Sequence, residues 1–110
     1  MTQITFYKTT AGEYQGFMCD GHSGYADRGE DIVCAAISVL VINTINSLDQ
    51  IAGEQMDVET DEEDGKIRCS FVNQPLKEIS RAFMDSLVLG LGQIEKQYGK
   101  NYCKMTFEEV

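Results

Sequence analysis

The chain has 110 residues, 43% of them hydrophobic and 25% charged, which suits one domain over residues 1–110 and leaves no room for a second core. That balance excludes intrinsic disorder for the bulk of the chain. Nine Lys and Arg against eighteen Asp and Glu give a net charge of -9, so no basic stripe is present to grip phosphate and direct nucleic-acid binding is not expected. An anionic balance suits solubility, or a partner that is itself basic.

The opening run MTQITFYKTT lacks a basic region followed by an apolar one, so no secretory signal is expected. The uncharged stretch 32–48 is interrupted by Ser38, Asn43, Thr44, Asn46 and Ser47, which argues against a membrane span. Cys19, Cys34, Cys69 and Cys103 then read as free thiols of a cytoplasmic protein.

Residues 3–8 alternate, with Ile4, Phe6 and Tyr7, and predict a strand. Residues 9–13, with Gly12, form a hairpin turn into a second strand over 14–19, weakened or bulged at Gly16. Residues 20–30 carry Gly21, Gly24 and Gly29 and no aliphatic side chain beyond Ala26, which predicts an exposed, mobile loop. Asp31 is a good N-cap for the apolar run that follows, and Ile45, Leu48 and Ile51 continue it at helical spacing. A length of about five turns favours helix over buried strand. Apolar residues around most of its circumference predict burial on more than one side.

Residues 56–60 and 66–72 predict two strands joined by an acidic turn over 61–65. Seven of the eighteen acidic residues lie from Glu54 to Asp64, without the alternate-ligand spacing of a calcium loop, and read as a solvated hairpin tip. Asn73 can cap a second helix with Pro75 in its first turn, and Leu76, Ile79, Phe83, Leu87, Leu91 and Ile94 mark one face. Gly99 and Asn101 stop it, and 102–107 alternates as a last strand. The order β-β-α-β-β-α-β describes an α+β domain, a mainly antiparallel sheet with two helices.

His22, the sole histidine, stands at a strand-to-loop junction between Gly21 and Ser23, where scaffolds commonly present functional groups. A lone histidine is more often a surface or capping residue. Cys34 falls in the first helical turn, where the partial positive charge and free N–H groups favour a thiolate. A histidine alongside could take the thiol proton and return it to a leaving amine. With backbone donors for an oxyanion, that is the minimum set for a cysteine protease. Asp31 could orient the imidazole or only cap the helix. Ser38, one turn beyond Cys34 on the same side, could support the site or bond its own backbone.

Two other readings compete for Cys34. It could be a small buried hydrophobe beside Ala35 and Ala36. It could also join Cys19 and His22, or Cys69 could, in a zinc site; no second close ligand pair follows, so neither metal nor cofactor is expected. Cys69 and Cys103, in strand patterns, read as core. The glycines match neither a P-loop nor a dinucleotide fingerprint, and nucleotide binding is not supported.

The run Gly21-His22-Ser23-Gly24, then Gly29, then Asp31-Ile32-Val33-Cys34-Ala35-Ala36-Ile37-Ser38, resembles the ribosomal-processing cysteine protease family, Prp, of Firmicutes and related bacteria. That family's hallmark is a Gly-His pair upstream of Gly-x-Asp-x-Val-Cys-Ala-Ala-x-Ser, at the spacing that separates His22 from Cys34 here. The match is specific over residues 21–38; length and element order agree over the whole chain.

The resemblance implies an endopeptidase that removes the N-terminal extension of large-subunit ribosomal protein twenty-seven, cutting after a Phe-Phe pair. It also implies a homodimer, and a glycine-rich loop holding Gly21, Gly24 and Gly29 that orders over the active site when substrate binds. By position, Cys34 is the nucleophile and His22 the general base, with Asp31 and Ser38 in supporting roles. The alternative is a non-catalytic ribosome-associated or assembly factor, with Cys34 in the core and His22 a binding residue.

Overall fold

The computed structural model describes residues 1–27 and 29–110. Arg28, inside the predicted loop over 20–30, lies outside them. Alternating polar and apolar residues build the strands β1 (Thr2–Lys8), β2 (Tyr14–Asp20), β3 (Met56–Asp61), β4 (Lys66–Phe71) and β5 (Cys103–Glu109). Helices α1 (Ile32–Gln50) and α2 (Glu78–Tyr98) complete the predicted order, with strand ends shifted by a residue or two.

The five strands form one sheet in the order β3-β4-β2-β1-β5. Its pairings are antiparallel except that of β1 with β5, which is parallel. In β4 the side chains of Cys69 and Phe71 are buried while Lys66 and Arg68 are exposed, so the strand turns one face inward. Ile4, Phe6 and Phe17 of the neighbouring strands join them. They share a single core with Val33, Ile37, Val41 and Leu48 of α1 and Met84, Leu87 and Leu91 of α2. Tyr14 fastens the first hairpin to α2, its hydroxyl donating to Asp85 at 2.6 Å.

The helices depart from expectation in two ways. α1 buries one stripe, Val33, Ile37, Val41, Thr44 and Leu48, rather than more than one side. No further layer covers its other side, where Ile32, Val39 and Ile42 stay exposed. By length and composition α1 could cross a membrane, yet its buried stripe is spent on the sheet and α2. The second correction concerns α2, which begins at Glu78 and not beside Asn73. The Asn73 amide donates instead to Gln55 Oε1, and Leu76 tucks into the core ahead of the helix. Lys77 is held by the turn after α1, its Nζ donating to the Ala52 and Gly53 carbonyls and its N–H to Glu54 Oε1. The buried stripe of α2 is accordingly Ser80, Met84, Leu87, Leu91 and Ile94, and Ile79 is exposed.

Gly16 marks the irregularity expected in β2: Tyr7 pairs with Gly16 and Lys8 with Tyr14, leaving Gln15 as the extra residue. A second requirement acts there. A Cβ at Gly16 would collide with the Cys69 carbonyl oxygen and sit 3.2 Å from the Ser70 Cα, so only glycine lets β2 and β4 close. Gly16→Ala is expected to lower stability by about 1–3 kcal/mol, read as a fall in the urea midpoint. Leu89→Ala, at an exposed position of α2, should stay within about 0.5 kcal/mol of wild type. Equal midpoints for the two variants would mean that the strand contact yields freely.

Candidate active site

The site grows from the N-terminus of α1. Asp31 has extended backbone geometry and caps the helix, its Oδ1 accepting the N–H groups of Val33 and Cys34, each at 2.9 Å. Its Oδ2 accepts from the Tyr25 and Ala26 N–H groups at 3.0 and 3.2 Å and from the Ser23 hydroxyl. Burial alone would raise the Asp31 carboxyl. The Ser23 hydroxyl and the N–H groups of Cys34, Ala26 and Tyr25 outweigh that and bring it down to about 2. Asp31 is thus a carboxylate at neutral pH with, among the described residues, five donors on it, none from His22.

This arrangement changes what faces the thiol. The free N–H groups expected around Cys34 are in part taken, because those of Val33 and Cys34 turn to Asp31. The sulfur receives another donor, the Ser23 N–H, at 3.0 Å. Ser23 was not singled out from sequence, although it is 1% exposed and bonds both Asp31 and Cys34. The signal was its place in the chain, next to the histidine.

His22 is held from three directions. The Gly21 N–H donates to the Gly65 carbonyl at 3.1 Å, and the Gly21 carbonyl accepts from the Thr2 hydroxyl at 3.3 Å. The imidazole lies on Gly65, in the turn between β3 and β4, where a Cβ would stand 2.9 Å from Cε1. Gly65 also has φ +65, so it meets two demands that favour glycine. Gly24 and Gly29 likewise have positive φ, at +74 and +92, and a Cβ at Gly29 would meet open space. Among the described residues, no hydrogen bond joins His22 to Cys34. Free enzymes often show such pairs unformed before substrate arrives.

Both residues open on one cleft of about 400 Å³, walled by α1 on one side and the β3–β4 hairpin on the other. Ile37, Val41, Ile42, Ile45, Val58 and Ile67 make it apolar, while Thr60, Asp61 and Lys66 bring polar groups from the hairpin. Ser38 lines it too, one turn below Cys34. Cys34 is the one half-buried thiol. Cys19, Cys69 and Cys103 are buried, and burial pushes their thiols up to about 12, 12 and 11. Among the described residues no three metal-ligating side chains gather.

The family model for the cysteine protease Prp matches residues 1–103. The chain belongs to that family. Prp relatives include the ribosomal processing cysteine protease of Staphylococcus aureus, 26% identical over 90 residues, covering 82% of this chain and 84% of that one. The same-named protein of Bacillus subtilis is 23% identical over 104 residues, covering 92% and 93%. The fold agrees with a crystal structure of the essential ribosomal processing protease Prp from S. aureus, in complex with a covalently linked product peptide. The TM-score is 0.91 at 21% identity, over 98% of this chain and all of that one. As a Prp the chain is a cysteine protease, which sets aside the non-catalytic alternative.

Thiolates, not thiols, are alkylated. Iodoacetamide at pH 8 should therefore add one group to the native protein, at Cys34, since the other three thiols stay protonated well above that pH. Intact-mass spectrometry of wild type and Cys34→Ala checks this. Two or more adducts on folded protein would mean that burial does not separate the four.

Proposed function

We propose that this Prp protease removes the N-terminal extension of large-subunit ribosomal protein twenty-seven, cutting after a Phe-Phe pair, with Cys34 as nucleophile and His22 as general base. The observation that carries the reading is that both side chains open on a single apolar cleft. A site of roughly 150 Å³ suffices for a benzene ring, so about 400 Å³ has room for two aromatic side chains. The net charge of -9, with Asp61 and Glu62 on the cleft, favours a basic peptide. The S. aureus structures, one with a substrate peptide and one with a covalently linked product peptide, support a peptide as the ligand of this fold.

In this mechanism the Cys34 sulfur attacks the carbonyl carbon of the second Phe as its proton passes to His22. The imidazolium then protonates the departing amine, leaving an acyl-enzyme that water hydrolyses with His22 again as base. The Ser23 N–H, already on the sulfur, supplies a donor beside the developing oxyanion. Asp31 acts as cap and Ser38 as part of the cleft wall. The glycine-rich loop serves as a lid that excludes water.

The reading extends to setting and assembly. A cytoplasmic location is supported by four unpaired cysteines. A homodimer is supported by Ile32 and Val39, which share an exposed stripe of α1 outside the cleft.

A synthetic peptide spanning the extension, incubated with the protein and followed by mass spectrometry, should be cut once after the Phe pair. Cys34→Ala should abolish cleavage, and His22→Ala should lower it by about 10²–10⁴-fold. An intact peptide with folded, reduced wild type would refute the substrate assignment. Sedimentation equilibrium should give twice the chain mass for wild type and a shift to monomer for Val39→Lys. A monomeric wild type would refute the dimer.

A further inference from the structure

We propose that Tyr25 is a positioning residue for Cys34, acting through the segment between β2 and α1; its effect on turnover rests on the role proposed above for Cys34. The Tyr25 ring meets Tyr98, at the end of α2, with centroids 5.4 Å apart and an interplanar angle of 78°. It meets Tyr102, just before β5, at 5.3 Å and the same angle. Both are edge-to-face contacts, the geometry aromatic quadrupoles favour. The ring does not line the catalytic cleft. Its influence on the sulfur must pass through the chain.

That path is short and continuous. The Tyr25 and Ala26 N–H groups donate to Asp31 Oδ2, which also accepts the Ser23 hydroxyl. The Ser23 N–H lies 3.0 Å from Cys34 Sγ. Fixing the Tyr25 ring therefore fixes the backbone that carries the donor on the sulfur. Without such an anchor the segment would be loose, because Gly21, Gly24 and Gly29 interrupt it with positive φ and glycine has the most conformational freedom to lose. Hydrogen bonds to Asp31 set the direction of the segment, and the two tyrosines hold its outer end against α2 and the turn into β5.

Tyr25→Ala removes both contacts and should lower kcat for a Phe-Phe peptide about three- to tenfold, the range expected of such aromatic pairs. KM should stay within about twofold, since the ring is no part of the cleft wall. Hydrogen exchange at the amides of Ser23 and Ala26 should quicken by a similar factor, while the Val41 amide in mid-α1 keeps its protection. Tyr25→Phe keeps the rings in contact and should restore wild-type kcat and exchange. Wild-type kcat in Tyr25→Ala, unchanged exchange at residues 23 and 26, or equal losses in the Ala and Phe variants each overturns the proposal. If the wild type cuts no peptide, the substrate assignment fails by itself, and the exchange comparison, which needs no turnover, still decides for or against Tyr25.

Discussion

The Asp31 carboxylate is the constraint on which the site depends. One oxygen closes the first turn of α1, and the other gathers the Ser23 hydroxyl and the N–H groups of Tyr25 and Ala26 from the segment that precedes it. A helix N-terminus ordinarily leaves four N–H groups without partners. Here a single side chain satisfies two of them and, with the same charge, folds the approaching chain back over Cys34. The cap and the active-site segment are therefore one structural unit. Its negative charge lies at the positive end of the helix dipole, where it stabilises the helix.

The remaining geometry follows from where the sheet ends. β2 leaves the sheet at Asp20, and Gly21 is pinned between the Thr2 hydroxyl and the Gly65 carbonyl, which sets His22 on the hairpin turn. Cys34 and His22 thus come from different supports: Cys34 from a helix end, His22 from a strand end braced by the β3–β4 turn. The cleft between α1 and that hairpin exists because β3 is an edge strand with little covering it. A core with three more buried thiols, all pushed far above neutrality, leaves Cys34 as the sulfur available for chemistry.

Much of this was legible in the residues. The strand alternation, the Asp31 cap and the helical spacing after it are local patterns, and the five strands and α1 formed where their periodicity placed them. His22 and Cys34 stood out through the motif over residues 21–38, and both line one cleft in the structure. Where local reading failed, a distant contact had intervened. Asn73 looked like a cap, but its amide is taken by Gln55, and Lys77 is held by the turn after α1. The apolar girth of α1 suggested burial on more than one side, but the sheet and α2 take up a single stripe of it.

By itself the sequence determined the order of the elements, the cap of α1 and the family to which the chain belongs, because each is written in neighbouring residues or in a compact motif. Tertiary structure alone decided that β5 pairs parallel to β1, that Gly65 carries the imidazole, that Ser23 supplies the donor on Cys34 and that Tyr25 is gripped by Tyr98 and Tyr102. Gly65 lies far along the chain from His22, and Tyr98 far from Tyr25. Contacts of that kind are selected by the packing of whole elements, and no local periodicity records them.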